Sequence, residues 1–170
     1  SFRFLFLDLS KTYKYLVKCT LYLGDKMAWK GRYKVKNPAK YKGDPTKVIY
    51  RSGLELKFMN YLDNHPDVIE WNSEEVIVPY RCVTDQKMHR YFVDFWYRCK
   101  TADGSIQTFL IEVKPKSQTR EPKKQQRKTR RYINEVMTWG KNQSKWKAAE
   151  EYCKDRGWKF QIITEKEING

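Results

Sequence analysis

The chain has 170 residues, 40% hydrophobic and 15% aromatic, a length suited to one domain with enough large apolar side chains for a packed core, which excludes a chain disordered throughout. Its 35 Lys and Arg against 20 Asp and Glu leave a net charge of +15, so a polyanion is the expected partner. No run approaches the ~20 apolar residues of a membrane span, and the stretch Phe4 to Leu9 is short and carries Asp8, which predicts neither a membrane anchor nor a signal peptide.

The charge is concentrated. Residues 1–48 carry net +9 and residues 114–131 net +8, while the rest of the chain sums to −2. Residues 1–26 mix Phe4, Phe6, Leu7 and Leu9 with scattered Lys and Tyr ahead of the first methionine, Met27, and read as an upstream extension. Residues 1–48 as a whole read as a basic N-terminal arm before a domain at 49–170. Within the arm Lys26, Lys30, Arg32, Lys34, Lys36, Lys40 and Lys42 are interleaved with Trp29, Tyr33 and Tyr41. Two readings stay open: stacking on bases in a groove, or docking on the domain or on a protein partner.

From Ser52 to about Asn64, Leu54, Phe58, Tyr61 and Leu62 recur at helical spacing with Ser52 as N-cap. Val76 to Val78, Met88 to Arg98 and Ile106 to Lys114 read as strands, rich in β-branched and aromatic residues. Asp103-Gly104 closes the last two into a hairpin through a three-residue loop 102–104, with Gly104 left-handed. Pro122 is placed to open a helix running to Trp139 and stopping at Gly140, followed by a helix over Gln143 to Arg156 and a strand over Trp158 to Ile163. The order predicts an α/β fold around a mixed central sheet flanked by helices. Cys19, Cys82, Cys99 and Cys153 are widely spaced, without a Cys-x-x-Cys pair and with only His65 and His89 to assist. That spacing predicts no zinc site and a reduced, cytosolic setting.

In the strand ending at Lys114, residues two apart share a face, so Glu112 and Lys114 point the same way. With the hairpin centred on residue 103, Asp94 falls opposite Glu112, and opposed side chains stand ~5 Å apart. Two carboxylates that close need a cation, and Mg²⁺ suits such an oxygen-ligand set. Simpler explanations exist for each group: an ion pair between Glu55 and Arg51 one helical turn away, an Arg90 or Arg98 partner for Asp94, and an alternating charged strand edge for Glu112 and Lys114.

Asp94, then Glu112-Val113-Lys114, with helical Glu55 upstream, resemble the PD-(D/E)XK nuclease superfamily, although Val93 stands where the name has proline. An ordered set of blocks is similar to the head completion nucleases of T4-like tailed bacteriophages. These are Met27 to Tyr33, Tyr50-Arg51-Ser52, Trp71 to Glu75, Arg90 to Phe95, Ile111 to Pro115, Gly157-Trp158 and Thr164-Glu165. More distantly they resemble the endonuclease subunit of Tn7-like transposases. The resemblance spans about residues 27–166 and implies a restriction-endonuclease-like core in αβββαβ order. It further implies Mg²⁺, replaceable by Mn²⁺, held by Glu55, Asp94, Glu112 and the carbonyl of Val113. Lys114 would orient or help deprotonate the attacking water, so the implied catalytic set is Glu55, Asp94, Glu112 and Lys114.

The implied activity is Mg²⁺-dependent cutting of DNA during head completion, with phage head or neck proteins as further partners and the host cytoplasm or the virion as location. The alternatives are a non-catalytic DNA-binding assembly factor on a nuclease fold, and a transposase- or resolvase-type nuclease. Lys123, Lys124, Arg127, Lys128 and Arg131, spaced as a helical stripe, are the expected phosphate contacts, together with Arg51, Lys116 and Gln118 around the site. On that helix Tyr132, Ile133, Val136 and Met137 are the apolar positions expected to dock.

Overall fold

A computed structural model describes residues 30–169; the upstream extension, Met27 and Trp29 of the arm, and Cys19 lie outside them. The strands are β1 (Gly31–Arg32), β2 (Ile49–Tyr50), β3 (Val68–Ser73), β4 (Ile77–Arg81), β5 (Met88–Phe92), β6 (Phe95–Lys100), β7 (Ile106–Val113) and β8 (Lys159–Ile163). The helices are α1 (Gly53–Asn64), α2 (Arg130–Lys154) and the short α3 (Glu165–Asn169). The central sheet runs β3-β6-β7-β8, antiparallel except for the parallel pair β7/β8. It is a mixed sheet flanked by helices, and its elements follow one another as α1, β3, β6, β7, α2, β8. This is the expected αβββαβ core with the separate β4/β5 hairpin inserted.

Residue parity along β7 separates the two faces. Phe109, Ile111 and Val113 join Phe95, Tyr97 and Cys99 of β6 in a core with Phe58, Met59 and Leu62 of α1. Leu110, on the opposite face, packs with Val78, Tyr80 and Tyr91 of the hairpin and with Ala149 and Cys153 of α2. Met59 and Leu62 are fully buried, each contributing about 1.5–3 kcal/mol by removal from water. Ser52 starts α1 as expected, its hydroxyl accepting the Glu55 N–H.

Several expectations change. The segment 88–98 is two strands, because the chain leaves the hairpin and enters the central sheet at Val93 and Asp94. The Val93 N–H still donates to Val76, whereas the Asp94 carbonyl already accepts from Glu74. Residues 76–78 belong to that hairpin, and the first core strand is Val68–Ser73, where Glu70 and Asn72 interrupt the apolar pattern. No helix starts at Pro122: residues 120–129 are irregular, since their Lys, Arg and Gln side chains offer no apolar stripe to dock. Helix α2 begins after the Thr129 cap and runs unbroken through Gly140 to Lys154. A Cβ at Gly140 would meet Val83 at 3.1 Å, so this glycine permits close packing rather than ending the helix. The helix docks through Asn142, Trp146, Ala149 and Cys153, while Ile133, Val136 and Met137 are exposed.

Nor do residues 30–48 stand free. Tyr33, Val35, Tyr41 and Val48 are in the core, and fully buried Asp63 of α1 accepts from the Tyr33 hydroxyl (2.9 Å) and from the N–H groups of Lys36 (2.7 Å) and Asn37 (3.0 Å). Tyr33 and Tyr41 therefore pack against Trp71 instead of presenting themselves to bases, which favours docking over stacking for this part of the arm.

Candidate functional site

The 95–100/106–113 hairpin keeps the register read from its sequence. Phe95 pairs with Ile111 and Lys100 with Ile106, the Thr101 N–H donates to the Ser105 carbonyl to close the loop 102–104, and Gly104 has φ +82°. Continued by one residue, this register sets Asp94 opposite Glu112. The two are linked through the neighbouring backbone, where the Val113 N–H donates to Asp94 Oδ2 at 2.8 Å.

Glu112 lies on the α2 and hairpin face and is 2% exposed. Its Oε1 takes an ion pair from Lys114 Nζ at 2.9 Å, and its Oε2 accepts a hydrogen bond from the Tyr91 hydroxyl. Burial and the Glu112 charge push the Tyr91 phenol far above its ordinary range, so it remains a donor. Asp94 is raised well above the usual carboxylate range, first by burial and then by Glu112 and Glu55, against the opposing pull of Lys114 and the Val113 N–H. Lys114 is raised as well: burial disfavours its charge, but Glu112, Asp94 and Glu55 outweigh that and hold it as an ammonium. Three carboxylates thus share one lysine, an excess of buried negative charge that a hard divalent cation with oxygen ligands would relieve.

Glu55, at the start of α1, adds its charge to those felt by Asp94 and Lys114, while its own oxygens are held locally. Its Oε2 accepts the Arg51 N–H at 2.7 Å and its Oε1 the Ser52 hydroxyl at 3.2 Å, a reciprocal helix cap. The expected Glu55–Arg51 ion pair is absent, since the Arg51 guanidinium binds both oxygens of Glu74 at 2.9 and 2.8 Å. That engagement also leaves Arg51 less available to a phosphate. Arg98, one alternative partner for Asp94, is paired with Glu70, and Arg90 stacks on Phe92.

The remaining sequence-predicted contacts leave the sheet after Lys114. Lys116 is half-buried, its N–H held by Glu165 at 2.8 Å, and Gln118 is exposed in a short 3-10 turn. Lys123, Lys124, Arg127 and Lys128 are exposed in the irregular segment, so they form a charged loop instead of a helical stripe. Arg131 is exposed at the start of α2 and paired with Glu135 at 3.0 Å.

Sequence reasoning passed over Tyr91, which reads as one more core aromatic in a strand; only the break at Val93 brings it to Glu112. It also passed over the grouping of Cys82, Asp85 and His89. Among the described residues this is the one set of three His, Cys, Asp or Glu side chains with ligand atoms all within 4.8 Å of one another.

Residues 65–165 match the family described as TnsA-like endonuclease N terminal. The chain is also 44% identical over 143 residues to the head completion nuclease of Enterobacteria phage T4, an alignment covering 82% of this chain and 93% of that protein.

Proposed function

Since the chain belongs to the TnsA-like endonuclease family, we propose that it cuts DNA with a divalent metal, Mg²⁺ or in its place Mn²⁺, during phage head completion. The arrangement of Asp94, Glu112 and Lys114 at the end of β7, a half-buried and a buried carboxylate beside one ammonium, is the observation that carries this reading. The T4 relative's name supports the biological step.

In this reading Asp94, Glu112 and the Val113 carbonyl hold the metal, and Glu55 joins directly or through a water. A metal bound there supplies charge stabilisation to the phosphoryl and leaving oxygens and acidifies a water. The chain's own groups do the positioning. Lys114 presents its ammonium to the attacking water or the phosphate, while Glu112, fixed by Lys114 and Tyr91, keeps a single orientation. The loop carrying Lys123, Lys124, Arg127 and Lys128, with Arg131, holds the backbone of a duplex without reading its sequence. Lys116 and Gln118 lie between that loop and Lys114 in the chain, and Arg51 borders Asp94. Action after packaging places the protein in the host cytoplasm or the virion, next to head or neck proteins.

The test is nicking of supercoiled plasmid. Wild type should require Mg²⁺ or Mn²⁺ and stop in EDTA; Glu112→Gln and Lys114→Ala should lose cutting and keep salt-sensitive DNA binding. Cutting that survives EDTA removes the metal from the proposal, and full activity in both variants removes the site. Binding without cutting under any metal supports instead an assembly factor on a nuclease scaffold.

A further inference from the structure

The β4/β5 hairpin ends in a turn over residues 82–87 that brings together three side chains of different ligand chemistry. Cys82 follows β4, Asp85 sits in the turn and His89 is on β5. Backbone bonds from the Cys82 N–H to Lys87 and from the Gln86 N–H to Cys82 close the turn, at 2.9 and 2.8 Å, and Gln86 adopts a positive φ of 59°. The Asp85 Oδ1 accepts the Lys87 N–H at 3.0 Å, which turns its Oδ2 toward His89 Nε2 at 2.8 Å. The imidazole also lies against the Tyr80 ring, centroids 5.6 Å apart. The Cys82 sulfur is 3.0 Å from the Thr84 hydroxyl.

We propose that Cys82, Asp85 and His89 form a second metal site, for a borderline-soft divalent ion of the Zn²⁺ class, separate from the carboxylate site. The ligand atoms of the three residues lie within 4.8 Å of one another. Tetrahedral coordination at ordinary Zn–S, Zn–N and Zn–O lengths needs them about 3.3–3.6 Å apart, so shifts of the turn's side chains on the order of 1 Å close the set. An ion between Asp85 and His89 replaces the proton they share. A thiolate, a carboxylate and a neutral imidazole select Zn²⁺ or Co²⁺ over Mg²⁺, which disfavours sulfur. The spacing Cys-x-x-Asp-x-x-x-His has the short separations of zinc ligands on a hairpin, with Asp85 where a second cysteine commonly stands.

Access and consequence follow from the surroundings. Asp85 and His89 are about two-fifths exposed in their side chains (39% and 41%), which leaves room for a water as fourth ligand. Cys82 is 1% exposed but borders an open cavity of about 650 Å³ between the turn and α2, lined also by Val83, Gln86, Trp139 and Ser144. The Val83 N–H donates to Ser144 of α2 at 3.1 Å. A metal in the turn would therefore fix the hairpin that carries Tyr91 against the helix.

Co²⁺ is the direct probe, titrated into the reduced full-length protein. The expected result is a near-ultraviolet thiolate-to-cobalt charge-transfer band saturating at one ion per chain and displaced by Zn²⁺. A cobalt ion among carboxylates alone gives no such band. Cys82→Ser should abolish it, and His89→Gln and Asp85→Asn should each weaken Co²⁺ binding at least tenfold, the loss that even outer partners of metal ligands produce. Zn²⁺ should raise the melting temperature of wild type by more than that of Cys82→Ser, in which only the carboxylate site is left to bind it. His89→Gln alters an exposed residue and keeps the test valid if the cysteine variant misfolds. Absence of the band, its persistence in Cys82→Ser, or unchanged affinity in His89→Gln overturns the proposal.

Discussion

Tyr91→Phe probes the candidate centre without touching any proposed ligand. The substitution removes one oxygen and keeps the ring, so the packing of a residue only 2% exposed is preserved. What is lost is the hydrogen bond to Glu112 Oε2. Glu112 is itself 2% exposed, with its other oxygen taken by Lys114, so no bulk water replaces the missing donor. A hydrogen bond to a charged group is worth about 1.5–3 kcal/mol. For a chain of this length that corresponds to a fall in melting temperature of about 3–12 °C in the metal-free protein. If Glu112 is a metal ligand, Tyr91 is its outer partner, and the half-saturating Mg²⁺ concentration in plasmid nicking should rise about 10–100-fold. The rate at saturating Mg²⁺ should stay within a few-fold of wild type, because the ligands themselves are intact. Isothermal titration of Ca²⁺ into the nuclease reads the same loss of affinity without turnover. A variant with unchanged melting temperature and unchanged metal dependence would refute the role of Tyr91 in holding Glu112.

The raised Asp94 fixes the sign of a pH effect. Below about pH 4 the carboxyl is protonated both folded and unfolded, so its contribution to stability is fully present there. As pH rises the unfolded chain ionises first and stability is lost until the raised native value is passed. Urea unfolding of metal-free Asp94→Asn should therefore show a protein more stable than wild type at pH 7 and close to it near pH 3, and Mg²⁺ should stabilise only wild type; the opposite order at pH 7 rejects the excess-charge account. Neutralising the loop in a combined Lys123→Gln, Lys124→Gln, Arg127→Gln, Lys128→Gln variant should flatten the dependence of log K on log salt by up to about 3.6, alike for unrelated duplexes; filter binding across a salt series measures it, and an unchanged slope places the DNA elsewhere. Asp63→Ala strips the Tyr33 hydroxyl and the Lys36 and Asn37 N–H groups of their acceptor and should cost about 3–5 kcal/mol in urea unfolding. A loss below about 1 kcal/mol would show that residues 33–37 are not anchored through it.

What the sequence revealed follows the range over which its signals act. The pairing of Asp94 with Glu112 was legible because it depends only on a hairpin centred on residue 103, a local feature set by Asp103 and Gly104. Helix α1 was legible for the same reason, from Ser52 and an apolar stripe. The packing of α1 was not, because it depends on which face of the sheet the helix covers. Parity along β7 decides that: Phe109, Ile111 and Val113 meet α1, and the charge of Glu55 at the start of that helix still reaches Asp94 and Lys114. The charge density of residues 120–129 was visible but its conformation was misread, since Pro122 marks where a helix can begin without supplying the apolar face that would stabilise one. Gly140 was misread in the opposite sense, its role being a close contact with Val83, which is distant in sequence.

The break at Val93 and Asp94 ties these observations together. Had the strand continued in register from β6, Tyr91 would fall opposite residue 115, beyond the end of β7. By leaving the sheet and pairing with β4 instead, β5 turns Tyr91 back over Glu112, with Lys145 of α2 over its ring at 5.4 Å. The same break sets Asp94 at the seam between two sheets, where its carboxylate meets the Val113 N–H and not a ladder partner. An uninterrupted strand would have satisfied the backbone more simply. The interruption instead gathers an acid, a second acid, a lysine and a tyrosine at one strand end, the set on which the proposed metal-dependent cutting rests.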